Sequence, residues 1–220
     1  IGTARVYVTA ATAGAQKTLT AYARSGACRR NVATVTETGS GGSGGGNTTT
    51  LAVFARNGNT TPRYSVYNGS AWGANTAFPS SIGGEATFVM CRPCPVRNEV
   101  LLVMQDDQRD VNVSSYNGSS WGSVTEICTD TGQLNYRPVD VAYEALSGTA
   151  LIVYWKEAST RYVYRTWNGT ALSGETVMPA LSGATDARWA TLFARPKSND
   201  LILLASQAGA FITGQTYLID

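Results

Sequence analysis

No histidine occurs among the 220 residues. That removes Ser-His-Asp and Cys-His relays and most catalytic zinc sites, whose general base or ligands are imidazoles. Charge is scarce as well. Asp, Glu, Lys and Arg make up 15% of the chain, and 17 basic against 15 acidic residues leave a formal charge of +2. With only Arg24, Arg29 and Arg30 close together, so small a surplus does not make the extended basic face that nucleic acid requires. Long apolar runs are missing too. The longest, Val100–Met104 and Leu201–Ala205, fall far short of the roughly 18 residues of a spanning helix, so no membrane span is expected.

What the chain does have is Gly, Ser, Thr and Asn in quantity, the composition of turn-rich exported β proteins. It starts at Ile1 without a charged-then-apolar leader, from which removal of an N-terminal segment, or a fragment, is expected. The expected location is extracellular or at the cell surface. In an oxidising compartment Cys28, Cys91, Cys94 and Cys128 are candidates for structural disulfides, with three connectivities open. The C-x-x-C spacing of Cys91 and Cys94 also fits redox or zinc chemistry. A redox site needs a βαβ context and a zinc site a second close pair, and the sequence offers neither, so no cofactor is expected.

The dominant signal is an internal repeat. Arg63–Gly73, Val111–Gly122 and Arg161–Ser173 align on Asn-Gly, with Asn117 following Asn68 by 49 residues and Asn168 following Asn117 by 51. A period of this size belongs to β-repeat architectures such as propeller blades. Alternating residues predict a strand before each Asn-Gly, and the Asn-Gly pair predicts a type I′ hairpin turn with two positive-φ positions. Upstream, Leu51–Ala55, Val100–Met104, Leu151–Trp155 and Leu201–Ala205 recur at the same spacing as central strands buried on both faces. Turn residues before these runs close a preceding strand, giving about four strands per unit.

The predicted fold is therefore all-β: one domain, 1–220, of repeated four-stranded antiparallel units, β-propeller-like and open or strand-exchanged. Its units are a partial 1–37, then about 38–84, 85–136 and 137–187, and an incomplete 188–220. Tyr217 falls two periods after Tyr116, so the last unit is expected to stop at its third strand. An open edge of this kind favours completion by the chain's own first strands or by another copy, that is, self-association through edge strands.

The hairpins, together with the stretch Val141–Tyr154, resemble the propeller-type repeats of bacterial exported and surface proteins, including propeller lectins with a W-x-G…W hairpin in each blade. The resemblance implies sugar binding on or between blades through aromatic and polar residues, without assigning that pocket to particular positions. Leu172 replaces the second Trp of the third copy, which argues against a strictly repeated sugar site. From the residues themselves, Tyr67, Trp72, Tyr116, Trp121 and Trp167 can serve either as ligand platforms or as packing between sheets, and packing is the favoured reading.

Asn47, Asn59, Asn68, Asn112, Asn117 and Asn168 each fit the N-x-[ST] acceptor pattern for glycosylation, although Asn68, Asn117 and Asn168 already have a structural cause as turn residues. Asp106, Asp107, Asp110, Glu126, Asp130, Asp140 and Glu144 are carboxylates without a spacing that sets two of them across a scissile bond. The chain is accordingly read as a non-enzymatic extracellular structural or adhesive module, possible as a subunit of a surface filament or pilus-like assembly. A carbohydrate-binding propeller, with glycans as partners, is the alternative.

Overall fold

The computed structural model describes residues 3–9, 16–22, 33–37, 50–55, 58–68, 70–180, 186–207 and 215–219. Side chains are described within 51–206. These residues form antiparallel sheets built as simple meanders. The first full sheet joins β3 (Ala33–Glu37), β4 (Thr50–Phe54), β5 (Arg63–Tyr67) and β6 (Thr76–Ala77). The second joins β7 (Ala86–Pro93), β8 (Val100–Asp106), β9 (Val111–Tyr116) and β10 (Thr125–Cys128). The third joins β11 (Val139–Tyr143), β12 (Ala150–Lys156), β13 (Arg161–Trp167) and β14 (Thr176–Val177). A last sheet has three described strands, β15 (Ala187–Ala194), β16 (Leu201–Gln207) and β17 (Gln215–Ile219), and β1 (Thr3–Thr9) pairs with β2 (Gln16–Tyr22). A 3-10 turn, Glu157–Ser159, links β12 to β13.

The repeated four-stranded unit is thus present, and the sheets stack face to face. Their first strands run side by side, β3 against β7, β7 against β11 and β11 against β15, as the inner strands of propeller blades do. Two boundaries differ from the sequence expectation. Ala33–Glu37 pairs with β4 rather than closing a separate first unit, so it belongs to the first full sheet. In the last sheet Leu201 pairs with Ile219 as Val100 pairs with Tyr116, so Ile219, not Tyr217, holds the position of Tyr116. A longer connection between β16 and β17 absorbs the two-residue difference.

Burial explains why these segments are strands. Every residue of β8 is buried, and β12 is buried except at Lys156, because each lies at the middle of a sheet covered on both sides. Side chains alternate between two interfaces. Leu51, Val53, Val89, Leu102 and Met104 fill the core between the first and second full sheets. Leu101, Val103, Val141, Ile152 and Tyr154 fill the next, and Leu151, Val153, Trp155, Leu192 and Leu203 the one after. The strand β16 departs from this pattern: Leu201, Leu203 and Ala205 are buried, while Ile202 is half-buried and Leu204 exposed. The expectation of a central strand covered on both faces therefore holds for β8 and β12 and fails for β16, which is covered on one.

The hairpin turns also differ from expectation. Gly118 and Gly169 have φ of +95° and +99°, whereas Asn117 and Asn168 are absent from the positive-φ residues. A single positive φ, at the glycine, does not meet the type I′ pattern, which needs positive φ at both central residues. The cause lies in the asparagine side chain. Asn117 Oδ1 accepts from the N–H groups of Ser119 and Ser120, and Asn117 N–H donates to Ser120 C=O. Asn168 repeats this with Thr170 and Ala171, and Asn68 with Ser70 and Ala71. Asparagine acts as a side-chain staple across the turn, and only glycine supplies the left-handed step. A Cβ on Gly118 would sit 2.2 Å from Asn98 Nδ2, and one on Gly169 2.7 Å from Arg97 Nε, so close approach adds a second demand for glycine at both.

Candidate functional site

The hairpin aromatics were the sequence candidates for a ligand platform, and the structure places most of them between sheets. Trp121 is buried, tilted against Phe78 at 4.5 Å between centroids and edge-on at 6.0 Å to Tyr64 of the preceding sheet. Its strand partner Tyr116, at 5.2 Å, is buried with it, and desolvation pushes the Tyr116 hydroxyl up from its ordinary pKa. Trp167 and Leu172 pack against the core between the second and third full sheets. Tyr67 and Trp72 form the same pair at 5.3 Å, but Trp72 stays 44% exposed. Repetition of sequence has therefore not produced repetition of an accessible aromatic surface.

The asparagines divide similarly. Asn59, Asn68, Asn117 and Asn168 are exposed. Asn112 is buried, its Nδ2 donating to Ile82 C=O and Asp106 Oδ2, which corrects its reading as a glycosylation acceptor. Asn47 lies outside the described residues.

The described cysteines are not paired with one another. Cys91, Cys94 and Cys128 are buried and no disulfide joins any two of them; Cys28 lies outside the described residues. Despite their C-x-x-C spacing, Cys91 packs into the core before the second full sheet and Cys94 into the core after it. Cys128 takes, one period later and one earlier, the buried position of Phe78 and Met178, so it is a packing residue that happens to be a thiol. Burial pushes its pKa up to about 12 and raises that of Cys94, which keeps both protonated and poorly nucleophilic.

Charged groups collect where the sheets meet. Asp140, on inner strand β11, is fully buried. It accepts from Arg92 Nη2 at 3.3 Å and from Leu192 N at 2.8 Å, and Arg137 Nη1 lies at 4.0 Å, so one carboxylate ties three successive inner strands. Burial pulls the Arg137 guanidinium below its ordinary pKa, the neighbouring Asp140 opposing this. At the hairpin end Arg97 Nη2 donates to Glu99 Oε1 at 3.0 Å and to Gly148 C=O at 2.7 Å, and Tyr143 OH donates to the same Glu99 oxygen at 2.6 Å. Burial first, and then this bond to Glu99, raises the Tyr143 pKa.

Asp106 Oδ1 accepts from the N–H groups of Gln108 and Asp110, fastening the β8–β9 turn. Glu144 bonds Ser147, and Asp130 accepts from Ala158 N–H. The contacts of Asp140 with Arg92 and Leu192, of Arg97 with Gly148 and of Tyr143 with Glu99 were invisible to spacing, because they cross between units at separations near one period. An open cleft of about 720 Å³ lies over this cluster, lined by Arg92, Pro93, Tyr143, Thr191 and Phe193 among others, with no carboxylate in its lining.

No family model matches the chain, and no curated protein matches it. Among solved structures it is similar to an exo-beta-1,3-galactanase from Phanerochaete chrysosporium, crystallised with galactose, at 8% identity and a TM-score of 0.42. The match covers 71% of this chain but only 39% of that one, so the chain spans well under half of its length. That neighbour is an enzyme, and the non-enzymatic reading of the chain is withdrawn on this finding. A likeness at this level carries no catalytic residue across.

Proposed function

We propose that the chain is an extracellular adhesive module that holds a repeated polar rim toward a glycan polymer. The observation that supports this is the set of hairpin tips. Asn68, Asn117 and Asn168 are exposed, each follows the third strand of its sheet, and each is stapled in the same way. Ser70 Oγ, Ser119 Oγ and Thr170 Oγ1 complete the pattern, each bonded to its asparagine Oδ1 at 2.9 Å. Because the sheets share one topology, the three tips fall at the same end of the stack. Each offers amide and hydroxyl groups suited to sugar hydroxyls, on a frame kept rigid by the aromatic residues behind it.

A single tip is a weak contact. Three on one frame gain through effective concentration, so a polymer is held far better than its monomer. The resemblance to repeat proteins of bacterial surfaces points the same way. The test is a glycan array read beside soluble fragments of the same glycans. The expected result is retention on a polysaccharide, weakened at least tenfold in a chain carrying Asn117→Ala and Asn168→Ala, with little response to mono- and disaccharides. Silence across the array, or equal binding by that variant when its fold is intact, overturns the reading.

A further inference from the structure

The last sheet exposes a face that the same register buries in both sheets before it. Phe193, Ile202 and Leu204 stand one period after Ala142, Leu151 and Val153, which are buried against the last sheet. Two periods before them, Leu101 and Val103 are buried against the third full sheet, with Phe88, the equivalent of Trp189, packed on the same core. On the last sheet Trp189 is 48% exposed, Phe193 52% and Leu204 40%. Register places Trp189 opposite Ser206, Thr191 opposite Leu204 and Phe193 opposite Ile202, so these residues share one face of one sheet. A contiguous patch with two aromatic side chains is not an ordinary exposed surface.

We infer that this face is the docking site for the β1–β2 hairpin of the same chain, which closes the stack of sheets into a ring. Three observations select that occupant. Among the described residues the hairpin is a two-stranded sheet, and an isolated pair of strands is at best marginally stable in water. By the repeat it corresponds to the second and third strands of a unit, since β3 opens the sheet after it, and the second strand of the following sheet is part of what covers this face elsewhere, as Leu201 and Leu203 do for Leu151 and Val153. Its register sets Ala4 opposite Ala21, Val6 opposite Leu19 and Val8 opposite Lys17, so five of these six positions on one face of the pair are apolar in sequence. Tethering in one polypeptide gives the hairpin a high effective concentration at the patch, ahead of a second copy.

The experiment uses the full chain. Sedimentation over a hundredfold concentration range is expected to give a monomer, and hydrogen exchange is expected to show Thr3–Thr9 and Gln16–Tyr22 protected at every concentration. Leu204→Asp and, separately, Phe193→Asp should strip at least tenfold from that protection while β8 and β12 stay protected. Unprotected β1–β2 in the unaltered chain, protection indifferent to both variants, or protection that appears only as the chain dimerises or forms fibres would each overturn the inference. Should the variants not fold, acrylamide quenching in the unaltered monomer decides, with Trp189→Phe used to isolate the Trp189 signal. Shielded Trp189 emission supports closure, and freely quenched emission refutes it.

Discussion

Replacing Asp140 tests how the sheets are held together. Its carboxylate is fully buried, takes the Leu192 N–H at 2.8 Å and the Arg92 guanidinium at 3.3 Å, and neutralises Arg137 at 4.0 Å. Removing one member of a buried charge set costs about 3–5 kcal/mol, since the partner charge is left desolvated and uncompensated. Arg137 is the partner that suffers, its side chain being only 15% exposed, whereas Arg92 at 36% can turn to solvent. Asp140→Ala is therefore expected to lose about 4 kcal/mol. With a urea slope of about 3 kcal/mol/M, the unfolding midpoint moves down by more than about 1 M. Asp140→Asn keeps an oxygen for Leu192 N–H and should fall between wild type and Ala. Arg92→Ala should cost about 1 kcal/mol, since Arg137 still balances the carboxylate. Urea denaturation followed by intrinsic fluorescence gives all three values. A loss below about 1 kcal/mol for Asp140→Ala, or equal losses for Asp140→Ala and Arg92→Ala, would refute the argument that the burial of Arg137 sets the magnitude.

Further expectations concern the core, the turn and the thiols. Trp121→Ala should destabilise by about 3–5 kcal/mol because it empties a site walled by Phe78 and Tyr64, while Trp72→Ala at the equivalent exposed position should cost a small fraction of that; thermal unfolding separates them. Burial raises the Asp106 pKa from 3.8 to about 6. Its neutral form is thus favoured on folding, and the stability it contributes is complete below pH 3.8 and lost as pH rises through about 6. A shift of that size is worth about 3 kcal/mol, and Asp106→Asn should flatten this part of the stability–pH curve. Cys94 and Cys128 should react with a thiol reagent at pH 8 only slowly in the native protein and at once in denaturant. Fast native labelling of Cys128 contradicts its burial.

The strand order was legible because the signals were redundant. A doubly buried run such as Val100–Met104 and a turn such as Asn117-Gly118 recur in phase, so each copy corroborates the others. Positions decided by a neighbouring sheet were not legible. As N-x-[ST] acceptor patterns Asn112 and Asn117 are alike, yet one is buried against Asp106 and the other caps an exposed tip. Cys91 and Cys94 looked like a pair because spacing along a chain says nothing of which side of a sheet each residue meets. The charged cluster around Asp140 draws its members from three sheets, and no window of sequence contains them together.

The shared position of Phe78, Cys128 and Met178 carries a consequence for folding. Phe78 is opposed by Trp121, whereas Cys128 shares its core with the smaller Leu172 and with Trp167. Modules of one topology in tandem invite the wrong neighbours to join during refolding. Plugs of different bulk penalise such misassembly, since a transposed pair would leave a void or a clash. The order of the modules along the chain is thereby written into the sizes of the residues that separate them.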